Sequence, residues 1–211
     1  MGVWWATEAL PLPITSLLPL VLFPLFGVEE IGVISKEFMN KVQFLFAGGF
    51  MIAIAMQKWN LHKRVALTIL QYSDLSGKKI VASFMGISAL LSMWVMNTST
   101  TIMLLPIAVS VCFVVCETVR GISERERANL QVSVLLGIAY SSSIGGITTP
   151  IGTGPNGFLI QFLAKENIDI GFIDWFLIGL PVSILLLPIL WILLTSFLFP
   201  VPKLFMPRKN I

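Results

Sequence analysis

The stretch "SIGGITTPIGTGPNG", residues 143–157, places Gly152, Gly154 and Gly157 in a G-x-G-x-x-G register. Such glycines close the phosphate loop of a dinucleotide-binding βαβ unit when a buried strand precedes them. Inside a membrane they break a helix when apolar half-helices flank them. No strand-like run precedes Gly152, and no acidic residue follows about 20 positions later on a second strand, so the first reading fails. Residues 141–157 hold five Gly, two Pro and six Ser or Thr, together with Asn156, within an apolar segment running from 131 to 163. Irregular backbone at that depth is tolerated where protein buries it or water reaches it. The segment is read as a broken membrane helix.

Composition agrees. Of 211 residues, 56% are hydrophobic and 12% charged, where soluble domains carry about a quarter charged residues. With a mean hydropathy of +0.89, 15 Phe and 6 Trp, the expected class is an all-α integral membrane protein. The net charge of +3 is small, and nothing resembles a nucleic-acid footprint. Cys112 and Cys116, four apart in an apolar run, read as neighbouring buried hydrophobes on one helix face rather than a disulfide or metal pair. Met1 to Leu10 lacks a basic segment, so no cleavable signal peptide is expected.

Apolar stretches lie at about 4–27, 42–57, 80–116, 131–163 and 175–199, forming one membrane domain over 1–211. A helical crossing takes about 20 residues. The third and fourth stretches, 37 and 33 residues long, are therefore two elements each or interrupted ones. Basic residues choose between these options, because they mark cytoplasmic loops. If 80–116 enters the membrane and returns, the segments 58–79 and 117–130 and the tail share one side, with 11 of the 14 Lys and Arg residues. A single crossing would divide them. The pattern predicts a re-entrant hairpin with "MNTST" (96–100) near its tip and limbs of about 16 residues.

Residues 60–73, "NLHKRVALTILQYS", alternate at helical spacing and predict an amphipathic surface helix, with His62 as an interfacial polar residue. Glu8, beside Trp4 and Trp5, reads as interfacial, with a bundle-facing position as the alternative. No histidine pair, nucleophile elbow or set of metal-spaced carboxylates is present, so no enzymatic centre is expected.

Two breaks remain, Ser92–Thr100 and Ser141–Gly157. Broken helices in transporters present N–H groups and positive dipole ends to anions, and freed carbonyls and hydroxyls to small cations. Asn97, Thr98, Ser99 and Thr100 are expected to cap the second hairpin limb, and Thr149 before Pro150 to open the second half of the broken helix. Neutral oxygens without a carboxylate suit a monovalent ion better than calcium. Tight packing of small residues is the alternative, but it explains neither the hairpin nor the clustered Pro and Gly. Asn97-Thr98-Ser99 also fits a glycosylation sequon, although within an apolar hairpin it is out of reach.

On these residues the chain resembles the divalent anion:sodium symporter family of sodium-coupled dicarboxylate, citrate and sulfate carriers. The resemblance runs along essentially the whole chain. It is carried by "WWATEALPLPITSLLPLVLFPLFGV" (4–28), "FLFAGGFMIAIAMQKWNLHKR" (44–64), "SMWVMNTSTTIMLLPIA" (92–108) and "SIGGITTPIGTGPN" (143–156). It implies a sodium site built from Ser92, the Ser-Asn-Thr position at 96–98 and the Gly145 carbonyl, with Asn97 and Thr98 touching a substrate carboxylate. Met96 stands where that motif usually has Ser, and a thioether is a poor ligand for a hard ion. The family is built from two inverted repeats over more than twice this length, and this chain resembles the first, without its leading spans.

The expectation is the first half of a multi-pass, plasma-membrane symporter for di- or tricarboxylates working by alternating access, homodimeric when full length. Sodium is the coupling ion and no other cofactor is expected. Ser92, Met96, Asn97 and Gly145 are expected at sodium, and Asn97, Thr98 and Thr149 at a small anionic substrate. A sulfate carrier or anion exchanger (from Met96) and a non-transporting membrane subunit (from the single repeat) are the alternatives.

Overall fold

The computed structural model describes residues 2–60, 64, 68, 76–119 and 122–201, and every regular element among them is helical. In order these are α1 (Gly2–Thr7), α2 (Leu12–Leu25), α3 (Ile31–Phe38), α4 (Lys41–Lys58), α5 (Gly77–Ser92), α6 (Asn97–Thr118), α7 (Glu124–Ile147), α8 (Gly154–Lys165) and α9 (Phe172–Ile192), the last running into a π-helical turn, Leu193–Leu198. Among the described residues, three helices are long and apolar enough to cross a membrane: Asn97–Glu117, Glu124–Ile147 and Phe172–Leu198. Most of the expected surface helix at 60–73, including His62, lies outside the described residues, as do Arg120 and the basic residues from Lys203 onward.

The chain divides into two compact units, Met1–Leu45 and Phe46–Ile211. In the first, the expected continuous span at 4–27 is corrected to two helices, α1 and α2. Glu8 adopts a left-handed φ of 49° and lies exposed between them. Pro11 disfavours helical geometry at Leu10, and Pro13 fits the first turn of α2, so the helix restarts instead of continuing. The span expected at 42–57 appears as α4, whose residues from Phe46 belong to the second unit.

The second unit is organised around α7. Ser88 donates to the Ile138 carbonyl (2.8 Å), and Gly137 faces Met85 and Val81. Gly152, beyond the end of α7, faces the Ser92 carbonyl, so α5 and α7 advance together. On the other limb Asn97 meets Gly146 while Thr101 bonds to Ser142 (3.1 Å), so α6 runs against α7. The two limbs are therefore antiparallel, as a hairpin requires. They are 16 and 22 residues long, the second exceeding the expected limb.

At the base of the hairpin, Lys78 Nζ donates to Ser196 Oγ (2.8 Å) and Trp191 Nε1 to the Lys78 carbonyl (2.9 Å). Asn129 reaches the Pro200 carbonyl (3.2 Å) and Ser133 the Phe199 carbonyl (3.4 Å). One end of the unit thus gathers the start of α5, the early part of α7 and the end of the π turn. Ile80, Phe84, Leu91, Leu104, Cys112, Cys116, Leu130 and Ile138 form a common core between the limbs and α7. Both cysteines are free thiols within it. Lipid tails are as apolar as leucine, so close packing and interhelical bonds hold such a bundle, each bond contributing about 0.6 kcal/mol.

Helix α7 starts seven residues before the apolar stretch, at a capping box. Ser123 N–H donates to the Glu126 carboxylate (2.9 Å), and Glu126 N–H donates to Ser123 Oγ (3.3 Å). Its break is narrower than the expected 141–157, covering only Thr148–Thr153 between α7 and α8. The three consecutive serines stay helical, and each hydroxyl is satisfied by bonding backward, Ser141 to the Gly137 carbonyl and Ser142 and Ser143 to Ala139.

Candidate cation and anion site

The hairpin tip is the turn between Ser92 and Asn97. The Trp94 and Val95 N–H groups both donate to the Leu91 carbonyl (3.1 and 3.0 Å). The backbone then extends at Met96, which stands at the N-cap of α6 with φ −53° and ψ 140° and no side-chain cap bond. The expectation that Asn97–Thr100 cap this limb is corrected: these residues form its first turn. The Asn97 side chain instead turns back, and its Oδ1 accepts the Ser92 hydroxyl at 2.6 Å. The N–H groups of a first turn have no partner within their own helix and carry the positive end of its dipole.

Facing the tip is the end of α7. A β-carbon at Gly145 would overlap the Ala89 carbonyl, and one at Gly146 would overlap Asn97 Oδ1. At Gly145, where the neighbour is backbone, only glycine admits this approach. The last carbonyls of a helix need donors from elsewhere, and here nearly all find them. The Ile144 carbonyl accepts Ser183 Oγ (2.9 Å), Gly146 accepts Asn156 Nδ2 (2.8 Å) and Ile147 accepts Trp175 Nε1 (2.9 Å). Beyond the helix, the Thr149 carbonyl takes Asn156 Nδ2 (2.8 Å) and the Gly152 N–H (3.3 Å). Since the Ser183 proton points at Ile144, Thr148 is the donor in its 2.8 Å bond to Ser183. The Gly145 carbonyl takes the Thr148 N–H (3.0 Å) and, among the described residues, no side-chain donor. Trp175 and Ser183 set the break beside the first half of the Phe172–Leu198 span, about 5–17 Å in from its start at 1.5 Å per residue.

The structure brings together Ser92, Asn97, Gly145 and Thr149. Ser92 and Thr149 are fully buried, Gly145 is buried and Asn97 half-buried, whereas Met96 and Thr98 are exposed. Thr149 does not open α8 as expected. Thr153 is the N-cap, and Pro155 occupies the first turn, where a missing N–H costs nothing. The Thr149 hydroxyl donates to the Met93 carbonyl instead, tying the break to the hairpin tip. Trp175 and Ser183 were not singled out by sequence, and Asn156 was noted only as part of the break, with no role at the site. Asn156 gave a signal, an amide three residues into a helix beside a run of freed carbonyls; Trp175 and Ser183 come from a distant helix and gave none. The oxygens gathered here are neutral: two hydroxyls, an amide and backbone carbonyls. That set can coordinate a small hard monovalent cation, while the first turn of α6 offers N–H donors to an anion.

Residues 2–209 match the citrate transporter family, CitMHS. The chain is 38% identical over 203 residues to the sodium-dependent dicarboxylate transporter SdcS of Staphylococcus aureus strains USA300, NCTC 8325 and MRSA252. The match covers 92% of this chain and 38% of each relative, so the chain spans well under half the length of the curated relatives it matches. These relatives are transporters rather than enzymes, in keeping with the divalent anion:sodium symporter resemblance. With its apolar helices, hairpin and broken helix, the chain belongs to the citrate transporter family of multi-pass membrane proteins.

Proposed function

We propose that this chain forms the first half of the transport region of a plasma-membrane, sodium-coupled carrier for di- or tricarboxylates. The observation that carries the reading is the meeting of the Ser92–Asn97 pair with the glycine-lined end of α7, where the Gly145 carbonyl takes no side-chain donor among the described residues. Sodium sits among Ser92, Asn97, the Gly145 carbonyl and the backbone at Met96. A substrate carboxylate docks on Asn97, Thr98 and the N–H groups of the first turn of α6. Thr149 holds the two walls together. Sodium binding orders the tip against the break and so prepares the anion's donors; the loaded site then alternates between the two faces of the membrane. The full-length protein works as a homodimer.

The supporting experiment is uptake of labelled succinate, citrate and sulfate by the full-length protein, with sodium exchanged for potassium. Sodium-stimulated succinate or citrate uptake is expected, and uptake indifferent to sodium refutes the reading. Met96 favours a second reading, an anion exchanger or sulfate carrier, because a thioether replaces a hard hydroxyl ligand there. Preference for sulfate, or sodium-independent exchange, would select it.

A further inference from the structure

We infer that Asn156 is a positioning residue for the cation site, acting by occupying the carbonyls that would compete with Gly145. This rests on the proposed sodium site. Four carbonyls, Ile144 to Ile147, are released where α7 ends, and Thr149 adds a fifth beyond it. In water each would be hydrated; at membrane depth each unsatisfied group costs several kcal/mol. A cation entering such a cluster would be drawn to whichever carbonyls lacked donors and could settle in several places. Asn156 resolves part of that choice with one side chain. It is 6% exposed, and its Nδ2 lies 2.8 Å from both the Gly146 and Thr149 carbonyl oxygens. An amide nitrogen carries two protons, so both bonds can form at once.

The consequence reaches the site through two short connections. Gly146 is the residue whose α-carbon rests against Asn97 Oδ1, so fixing its peptide fixes the surface against which Asn97 packs. Thr149 bonds through its hydroxyl to Met93 in the tip, so fixing its carbonyl also steadies the strut between break and hairpin. Asn156 itself is anchored in the first turn of α8 by its N–H to the Thr153 carbonyl (3.2 Å). It stands behind the carbonyls it holds and is assigned no contact with ion or substrate. Trp175 and Ser183 perform the same service for Ile147 and Ile144, but among the described residues Asn156 alone holds both a carbonyl at the end of α7 and one within the break.

The test uses the purified full-length carrier, titrating sodium against a constant total of sodium plus choline. It reads sodium-dependent thermal stabilisation alongside the half-saturating sodium concentration for uptake. Asn156→Asp keeps the shape and removes both N–H donors, while Asn156→Ser keeps one hydroxyl donor. The expected result for Asn156→Asp is a rise of about tenfold in the sodium concentration for half-maximal stabilisation. Substrate KM at saturating sodium should hold within about twofold, and Asn156→Ser should fall between. Acidification should recover part of the Asn156→Asp loss, because the protonated acid regains a donor. If Asn156→Asp does not reach the membrane, Asn156→Ser is read in its place. An unchanged sodium response, or a parallel loss of sodium affinity, substrate affinity and maximal rate, overturns the inference. Ser92→Ala serves as the control. If it too leaves the sodium response intact, the cation site is wrong; if it shifts the response and the Asn156 variants do not, only the role of Asn156 falls.

Discussion

The two interruptions in this molecule are built on opposite plans. The hairpin tip, between Ser92 and Asn97, is short and has no side-chain cap; its one internal side-chain bond is Ser92 to Asn97. The break in α7–α8 is furnished from outside, with Asn156, Trp175 and Ser183 each donating to its carbonyls. One interruption leaves N–H donors exposed toward a ligand; the other has its acceptors nearly all taken. In the proposed site, the anion surface and the cation position use the same device, a broken helix, furnished differently.

The contrast is broken most completely by topology. On the reading that the hairpin returns while the broken helix crosses, cysteines placed singly at Ser76 and Ser123 should be labelled by an impermeant reagent only from the cytoplasmic side, and one at Asn167 from the other. Labelling of Ser76 and Ser123 from opposite faces would make α5–α6 a full crossing. Next in size is Gly145→Ala. The added methyl meets the Ala89 backbone rather than a side chain that could yield, and the overpacking should cost about 3 kcal/mol. Thermal unfolding of the full-length protein should show a clear drop in Tm, and an unaltered Tm would contradict the packing.

Asn97→Ala follows. It strips the tip of its one internal side-chain acceptor, and losing a bond to a charged partner costs about 1.5–3 kcal/mol, or about ten- to a hundred-fold in affinity. Isothermal titration or uptake kinetics should find sodium and substrate weakened together, and unchanged affinities would remove Asn97 from the site. The smallest effect belongs to Met96→Ser. A hydroxyl is a harder donor than a thioether, so half-saturating sodium should fall by about two- to fivefold while substrate preference holds. A rise, or no response, would place the side chain at 96 outside the cation's reach.

Much of this was legible in the sequence because the membrane restricts what a chain can do. Overlong apolar stretches forced a hairpin and a broken helix, and the basic residues joined the base of the hairpin to the start of α7, where the structure gathers them. The two interruptions were legible because hydroxyls, amides and glycines stand out at that depth, whereas the choice of Ser92, Asn97 and Gly145 within them came from the family resemblance. What failed was extent. Serines 141–143 looked like unwound backbone, yet their hydroxyls bond within the helix, a choice composition does not reveal. Thr149-Pro150 and Thr153-Gly154-Pro155 both carry the signals of a helix start, and the chain uses the later one. Glu8 ended a span early by turning left-handed, and Pro11 and Pro13, which follow it, restart the helix as α2. The donors from α9 were invisible because tertiary structure alone brings residues 175 and 183 to residues 144–148.

The glycine contact between α7 and the hairpin also has a mechanical meaning. With the Gly145 α-carbon pressed against the Ala89 backbone and Gly146 against Asn97, neither helix can slide past the other by even one residue without collision. The joint has no clearance to act as a hinge or a bearing. If the proposed carrier alternates between two states, both walls of the proposed site ride on one block, and the moving seams run around that block rather than through it.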